Sequence, residues 1–463
     1  MTYRVTNPTT GEVVRELPSL SDAACEVLLQ RVSDEQQRWR RVPLHTRALF
    51  SSALAVVLRT HREALALMLV EEMGKPVGSA RGEIDKCIAL CDGAPALAAA
   101  ALADVIVLDD ATAQTRVRYD PLGVALAIMP WNFPHWQALR FAIPALLAGN
   151  GVLIKPAASV AGGAMLLDSC LREASALAEA QGAPPAPVHT VLLLHEQIDG
   201  VIADDRIAGV TLTGSDRAGR HVASIAGQHL KKVVLELGGS DPFIVLPDAD
   251  IERAAATAVS ARTVNSGQSC IAAKRFIVCD AVYDDFVARF TEGMRNLVVG
   301  DPRDERTQVG PIATESVRGG LATQTRDSIA RGARALIGGA PSDGAGYFFP
   351  PTVLVDIPDD APAAREELFG PVASVFRVAD VDAAIAKAND SPFGLGSSVW
   401  TRDPALAERC AGALDAGMVF INDMVVSDPR YPFGGIKQSG LGRELGQAGF
   451  REFTNQKTVR VAR

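Results

Sequence analysis

Apolar positions along the chain repeat at two different spacings. Ser21 to Arg41 and Arg47 to Gly74 carry them at helical intervals, which predicts two amphipathic helices, the second stopped by Gly74 with Pro76 just beyond. Between Gly123 and Pro156 the pattern changes. A short apolar run (Gly123 to Met129) leads into a turn bearing Trp131-Asn132-Phe133-Pro134, then a helical stretch (Trp136 to Ala148), then a second apolar run (Gly151 to Ile154). That order is a βαβ unit. The alternation continues with a helix near Gly162 to Gln181 and strands near His189 to Leu194, Ile207 to Thr213, Lys232 to Leu237 and Pro242 to Leu246. Apolar strands separated by helices predict an α/β fold whose middle is a parallel, doubly wound sheet.

Two segments stand outside this rhythm. Thr112 to Tyr119 alternates polar and apolar residues as a half-exposed strand does, and Val459 to Val461 is a short strand-like run near the C-terminus. Strands so far from the main pattern are expected to pair with something outside it, at an edge used in oligomerisation. Gly182 to Pro187 reads as a loop. With 463 residues and 48% hydrophobic content, the chain exceeds the roughly 250 to 300 residues at which single cores stop growing, so two or more domains are expected.

Charge and cysteine usage narrow the function. The net charge of -8, with Lys and Arg scattered among acids, gives no basic footprint for nucleic acid. The N-terminus has no secretory pattern, and the apolar tract from Gly93 to Ala103 is too short to span a bilayer. A cytoplasmic protein without a membrane segment is expected. Seven cysteines, at positions 25, 87, 91, 170, 270, 279 and 410, include no Cys-x-x-Cys pair and suit free thiols in a reducing compartment. Cys87 and Cys91 would share one helical face, but no further ligand has matching spacing, so they read as core residues and no metal is expected.

The candidate chemistry centres on Asn265-Ser266-Gly267-Gln268-Ser269-Cys270, where a cysteine follows a glycine-bearing turn, and on Glu236 upstream. A thiol that attacks carbonyl carbon needs thiolate character, and release of the covalent intermediate needs a base to activate water. The spacing alone proves nothing, because a lone cysteine is more often a small buried hydrophobe. Val210 to Thr213 runs into Gly214-Ser215-Asp216-Arg217-Ala218-Gly219 and then a helical stretch from Arg220 to Gly227. A strand, a glycine turn and a helix N-terminus favour an anion such as a pyrophosphate, although such turns are common without a ligand. The formal G-x-G-x-x-G match at Gly440 to Gly446 follows no expected strand and reads as a loop.

Eight ordered motifs make the chain resemble the aldehyde dehydrogenase superfamily over essentially its whole length. They are Pro130-Trp131-Asn132-Phe133-Pro134, Lys155-Pro156, Thr213-Gly214-Ser215, Glu236-Leu237-Gly238-Gly239, Gly267-Gln268-Ser269-Cys270, Glu367-Leu368-Phe369-Gly370-Pro371, Asn389 to Leu395 and Pro432 to Gly440. Within that superfamily, Ile128 to Pro134, Leu235 to Leu246 and Gly300 to Glu305 are most similar to the short bacterial succinate-semialdehyde dehydrogenases. The resemblance implies a Rossmann-type NAD(P)-binding domain (1–103 and 122–238), a second α/β catalytic domain (239–432), and oligomerisation strands (104–121 and 447–463) of a homodimer or homotetramer.

It also implies roles for residues. Cys270 would be the nucleophile, Asn132 an oxyanion donor, Glu236 the base for thioester hydrolysis, and Glu444 a proton relay. Trp131, Lys155, Gly214, Ser215, Glu367 and Phe369 would bind NAD or NADP. Ala158 stands where NAD-preferring relatives often carry a glutamate, so a 2′-phosphate is not repelled. Arg140, eight residues after Asn132, Arg262, eight before Cys270, and Ser427 would hold a substrate carboxylate. The implied reaction is oxidation of succinate semialdehyde to succinate. Glutarate semialdehyde, or an uncharged aliphatic or aromatic aldehyde, is the alternative substrate, and a non-catalytic protein of the same fold is the remaining reading. Because Ile271-Ala272 follow Cys270, a redox disulfide with a cysteine two residues on is not available.

Overall fold

The computed structural model describes residues 2–463. Its first large sheet has six strands in the spatial order Gly440–Leu441, Lys232–Glu236, Ile207–Thr213, Val124–Ile128, Gly151–Lys155 and Val188–Thr190. All neighbours run parallel except Gly440–Leu441, which lies antiparallel on Lys232–Glu236. The chain therefore starts in the middle, winds outward one way, then crosses back and winds the other way, which is the expected doubly wound arrangement.

The Gly440 to Gly446 segment is not the plain loop its sequence suggested. Gly440 (φ +139°) pairs with Glu236, and a Cβ on it would meet the Leu235 carbonyl oxygen at 1.9 Å, so only glycine can join this edge.

A second sheet has seven strands in the order Arg334–Ile337, Thr352–Val355, Val372–Val378, Arg275–Cys279, Pro242–Val245, Gly396–Trp400 and Met418–Ile421. It is parallel except for its first pair. Phe243, Phe276, Phe286, Phe290 and Trp400 stack between this sheet and its helices.

The third sheet stands apart from the other two, and in it Thr454–Ala462 pairs along its whole length with Ala113–Pro121, so the two strands expected to lie outside the main pattern do so by pairing with each other. The sheet's third strand, Val105–Asp109, falls within the 104–121 segment that the resemblance implied, although no alternation along it marks it. All five of its residues are exposed, with Val105, Ile106, Val107 and Leu108 among them.

The helices differ from expectation in two places. The single helix expected over Arg47 to Gly74 is two, Leu44–Thr60 and Arg62–Met73, separated at His61 (φ -96°, ψ 10°) without any proline or glycine to signal it. Gly74 does cap the second in the left-handed conformation, φ 72°. Val77–Ala101 forms a 25-residue helix that carries Cys87 and Cys91, both fully buried in the core shared with Leu44–Thr60 and Pro134–Leu147. Among the described residues no helix is long and apolar enough to cross a membrane.

Candidate active site

In a doubly wound sheet, ligands bind outside the carboxyl ends of the strands where the winding reverses. Here that point lies between Val124–Ile128 and Ile207–Thr213. The turns leaving those strands supply Pro130, Trp131 and Asn132 on one side and Gly214 and Ser215 on the other. With Cys270, Glu367 and Phe369 they line a cleft of about 670 Å³.

Ser215 caps the helix Asp216–Gln228, its hydroxyl accepting from the Ala218 N-H at 3.3 Å. The helix thus begins at Asp216, four residues before the expected Arg220, which brings its positive end to the cleft. Thr213 Oγ1 faces the same cleft, buried and without a partner among the described residues. Trp131 and Phe369 meet edge to face, 5.6 Å between centroids, as an aromatic wall. Glu367 accepts from the Gly239 N-H at 3.1 Å and lies 3.2 Å from the Lys274 ammonium. An aromatic wall, an orphan hydroxyl and a helix N-terminus fit a nicotinamide dinucleotide. Lys155 is outside the cleft lining. It ends the strand next to Val124–Ile128, buried, with its ammonium 5.8 Å from the Tyr3 ring. Ala158, itself exposed, opens a short turn beyond it that ends on buried Val160.

Cys270 stands on a constrained loop. After the helix Ile251–Thr263, Asn265 (φ 55°) and Ser266 (φ 56°) take left-handed conformations, and Gly267 follows at φ +77°. Such strain persists only where surroundings enforce it. The Asn265 amide donates to the carbonyls of Asn132 (2.8 Å) and Gln268 (3.0 Å), and Ser266 Oγ accepts from the Gly310 N-H at 2.9 Å. The buried Lys274 ammonium donates to the Ser269 and Cys270 carbonyls at 2.7 and 2.6 Å.

So held, the Cys270 side chain forms part of the wall of two cavities. One is the cleft already described. The other, about 560 Å³, is lined by Lys86, Trp136, Arg140, Val264, Ser427 and Phe433 among others. Burial pushes the Cys270 thiol up to about 12, eased by the cations Lys274 and Arg140 and reinforced by Glu367 and Glu236. The resting group is a thiol, and its proton must leave before attack.

Asn132 is fixed from several sides. Its side-chain amide donates to the Gln268 carbonyl at 3.1 Å, which leaves the second N-H for the cleft. Its backbone carbonyl accepts from Lys75 at 3.0 Å. Lys75 is paired in turn with Glu83, both buried, and Glu83 accepts the first-turn N-H groups of His135 and Trp136 at 3.0 Å.

Behind Cys270 lies a buried acidic pair. Glu236 ends its strand with both oxygens unpartnered among the described residues, and burial followed by repulsion from Glu444 raises its carboxyl well above the ordinary range. Glu444 makes a buried ion pair with Arg140, whose guanidinium also lies 4.5 Å from the Phe433 ring. Neither cavity has Glu236 in its lining.

Of the three residues expected to hold a substrate carboxylate, Arg140 and Ser427 line the second cavity. Arg262 does not, and its expected role is corrected. The last turn of its helix sends it beneath the cysteine loop, fully buried, where it donates to the Gly267 carbonyl at 2.7 Å. Lys86, Gln137 and Lys274 were missed. Lys86 lies on the helix that the sequence did not disclose, Gln137 lines both cavities, and Lys274 has only its place four residues after Cys270 to mark it.

The sequence matches the aldehyde dehydrogenase family over residues 1–459. It is 47% identical over 466 residues to succinate-semialdehyde dehydrogenase (NADP+) 1 of Mycobacterium ulcerans (strain Agy99), covering 100% of both chains. It is 44% identical to a probable succinate-semialdehyde dehydrogenase (NADP+) of Synechocystis sp., again covering 100% of both. The crystal structure of succinic semialdehyde dehydrogenase from Streptococcus pyogenes in complex with NADP+ superimposes with a TM-score of 0.95 at 34% identity, over 100% of each chain. A cysteine shared by a dinucleotide cleft and a second cavity, on a fold matched from end to end, places this chain in the aldehyde dehydrogenase family.

Proposed function

We propose that this aldehyde dehydrogenase oxidises succinate semialdehyde to succinate, with NADP+ preferred over NAD+. The observation that carries the reading is the position of Cys270, which faces the dinucleotide cleft on one side and a cavity holding Arg140 and Ser427 on the other. An aldehyde in that cavity presents its carbonyl to sulfur while a distal carboxylate meets positive charge.

Cys270 loses its proton and attacks the aldehyde carbon, forming a thiohemiacetal. The free Asn132 N-H and the Cys270 backbone N-H stabilise its oxyanion. Trp131, Gly214, Ser215, Glu367 and Phe369 would hold a nicotinamide cofactor, with Lys155 towards its ribose, and that cofactor would supply the hydride acceptor. A thioester on Cys270 remains. Glu236 takes a proton from the water that hydrolyses it, and its raised carboxyl makes it a stronger base than a solvated glutamate. Glu444, beside it and paired with Arg140, passes the proton onward.

The preference for NADP+ is supported by Ala158, an exposed methyl where a carboxylate would repel a 2′-phosphate, and by the cofactor in the names of the relatives above. Residues 1–103 and 122–238 form the cofactor domain, which also lends Asn132, Arg140 and Glu236 to the reaction, and 239–432 form the catalytic domain. In support, every strand of the seven-stranded sheet lies within the second range. The exposed apolar strand Val105–Asp109 supports assembly into a homodimer or homotetramer.

The test is the initial rate of reduced nicotinamide formation with succinate semialdehyde, propanal and benzaldehyde, each with NAD+ and NADP+. A hundredfold or greater advantage in kcat/KM for the semialdehyde with NADP+, about 2.7 kcal/mol, is expected. Equal use of propanal or benzaldehyde refutes the substrate assignment.

A further inference from the structure

The second cavity contains two cations in different circumstances. Arg140 is paired with buried Glu444 and backed by the Phe433 ring, with its Nη2 left without a hydrogen-bond partner among the described residues. Lys86 has no carboxylate in ion-pair distance among the described residues. Its ammonium lies 4.1 Å from the Trp136 ring centroid and 3.0 Å from Ser427 Oγ. A partly buried ammonium resting on an aromatic face with one hydroxyl partner keeps N-H donors for a ligand.

Ser427 has a matching surplus. Its buried hydroxyl oxygen accepts from Lys86 Nζ and from Trp136 Nε1, each at 3.0 Å. Two donors fill both lone pairs, so the hydroxyl hydrogen must point to an acceptor, and no protein acceptor is present among the described residues. Lys86 and Ser427 thus present donors side by side, one of them cationic, to the same space.

Their place suits the far end of a short substrate. Cys270 lines the inner cavity and the cofactor cleft. Lys86 lines the inner cavity and an outer one of about 870 Å³ that it shares with Phe133, Trp136, Val264 and Met424. Cys270 thus borders the side of the inner cavity that adjoins the cofactor cleft, and Lys86 the side that adjoins the outer cavity.

We propose that Lys86, seated on Trp136 and bonded to Ser427, is a further carboxylate-binding residue of this enzyme, acting with Arg140 and Ser427 on that side of the cavity. The proposal rests on the semialdehyde reading and names the residues that would enforce it. Titration agrees with the geometry. Burial and repulsion from Arg140 hold the Lys86 ammonium down to about 8, against the opposite pull of Cys87 and Glu83 on its own helix and Asp428 beside Ser427. The site carries its charge below that pH and loses it above, so carboxylate binding weakens as pH rises through about 8.

The experiment measures competitive inhibition of propanal oxidation by succinate, together with kcat/KM for succinate semialdehyde, in the wild-type enzyme and in Lys86→Met. Succinate is expected to inhibit the wild type, with a Ki that rises above pH 8. Lys86→Met is expected to raise Ki and to lower kcat/KM for the semialdehyde at least tenfold, while propanal turnover without inhibitor stays within twofold and reports an intact fold. Equal losses on both aldehydes, or an unchanged Ki, overturn the proposal. A wild-type enzyme that does not prefer the semialdehyde refutes the substrate reading separately. The change in succinate Ki on Lys86→Met still decides the site in that case.

Discussion

Asn132 illustrates how much of this site is fixed before substrate arrives. One amide N-H is committed to the Gln268 carbonyl, and Lys75 and Asn265 lock the residue's own carbonyl. The remaining N-H is pre-aimed at the place where negative charge develops, and removing such a donor typically costs about 2.7 to 4 kcal/mol of transition-state stabilisation. Asn132→Ala should therefore lower kcat by roughly 10² to 10³ with little change in KM. Steady-state kinetics check this, and a loss confined to KM would assign Asn132 to binding.

Residues whose role follows from motif chemistry were legible in the sequence. Cys270, Asn132, Glu367 and Phe369 line the cleft as expected. Arg262 was not legible, because eight residues of separation say nothing about which way a helix's last turn directs its side chain, and this one passes under the loop. Lys86 was invisible for a different reason. Its significance lies in Trp136 and Ser427, which are distant in sequence and meet it only in the fold.

At the level of elements, the loop that carries Cys270 is shaped by Gly267. A Cβ there would come 2.3 Å from the Gly370 backbone carbon, and φ is +77°. Neither neighbour is a flexible side chain that could swing aside, and Gly370 belongs to the segment bearing Glu367 and Phe369. Gly267→Ala should push the cysteine loop and the nicotinamide wall apart. Loss of activity should exceed tenfold and be accompanied by destabilisation of more than about 1 kcal/mol, the least expected for alanine at positive φ. Activity assays and thermal unfolding measure the two effects, and a wild-type profile in both would show that the loop is not constrained as described.

Helices and strands with strong periodicity were found in the sequence, Ile207–Thr213 to the residue. Three features escaped that periodicity for physical reasons. The break at His61 has no local breaker and reflects packing. Val77–Ala101 buries one face only, but Gly78, Gly82, Ala89, Gly93, Ala96, Ala99 and Ala100 occupy exposed positions and Pro95 lies inside it, so its amphipathic signal is weak. Val105–Asp109 is exposed on both faces and owes its strand conformation to pairing with Ala113–Pro121.

That last strand carries the argument to the whole molecule. The three-stranded sheet has Ala113–Pro121 at its centre, Thr454–Ala462 on one edge and Val105–Asp109 on the other. Ile106 is 52% exposed and Val107 64%, on an edge whose outer N-H and C=O groups are unpaired. Open apolar edges invite pairing with another chain, and stable proteins either blunt them or use them. The opposite edge is blunted by Lys457 and Arg460, both on Thr454–Ala462, whereas Val105–Asp109 has only Asp109 at its end. The contrast supports use of this edge as a subunit contact. The double substitution Ile106→Lys with Val107→Lys should shift the mass measured by light scattering to a smaller species. The aldehyde site lies in a different part of the fold, so catalysis by the separated subunit should survive at least in part. An unchanged mass would show that this edge is not a subunit contact.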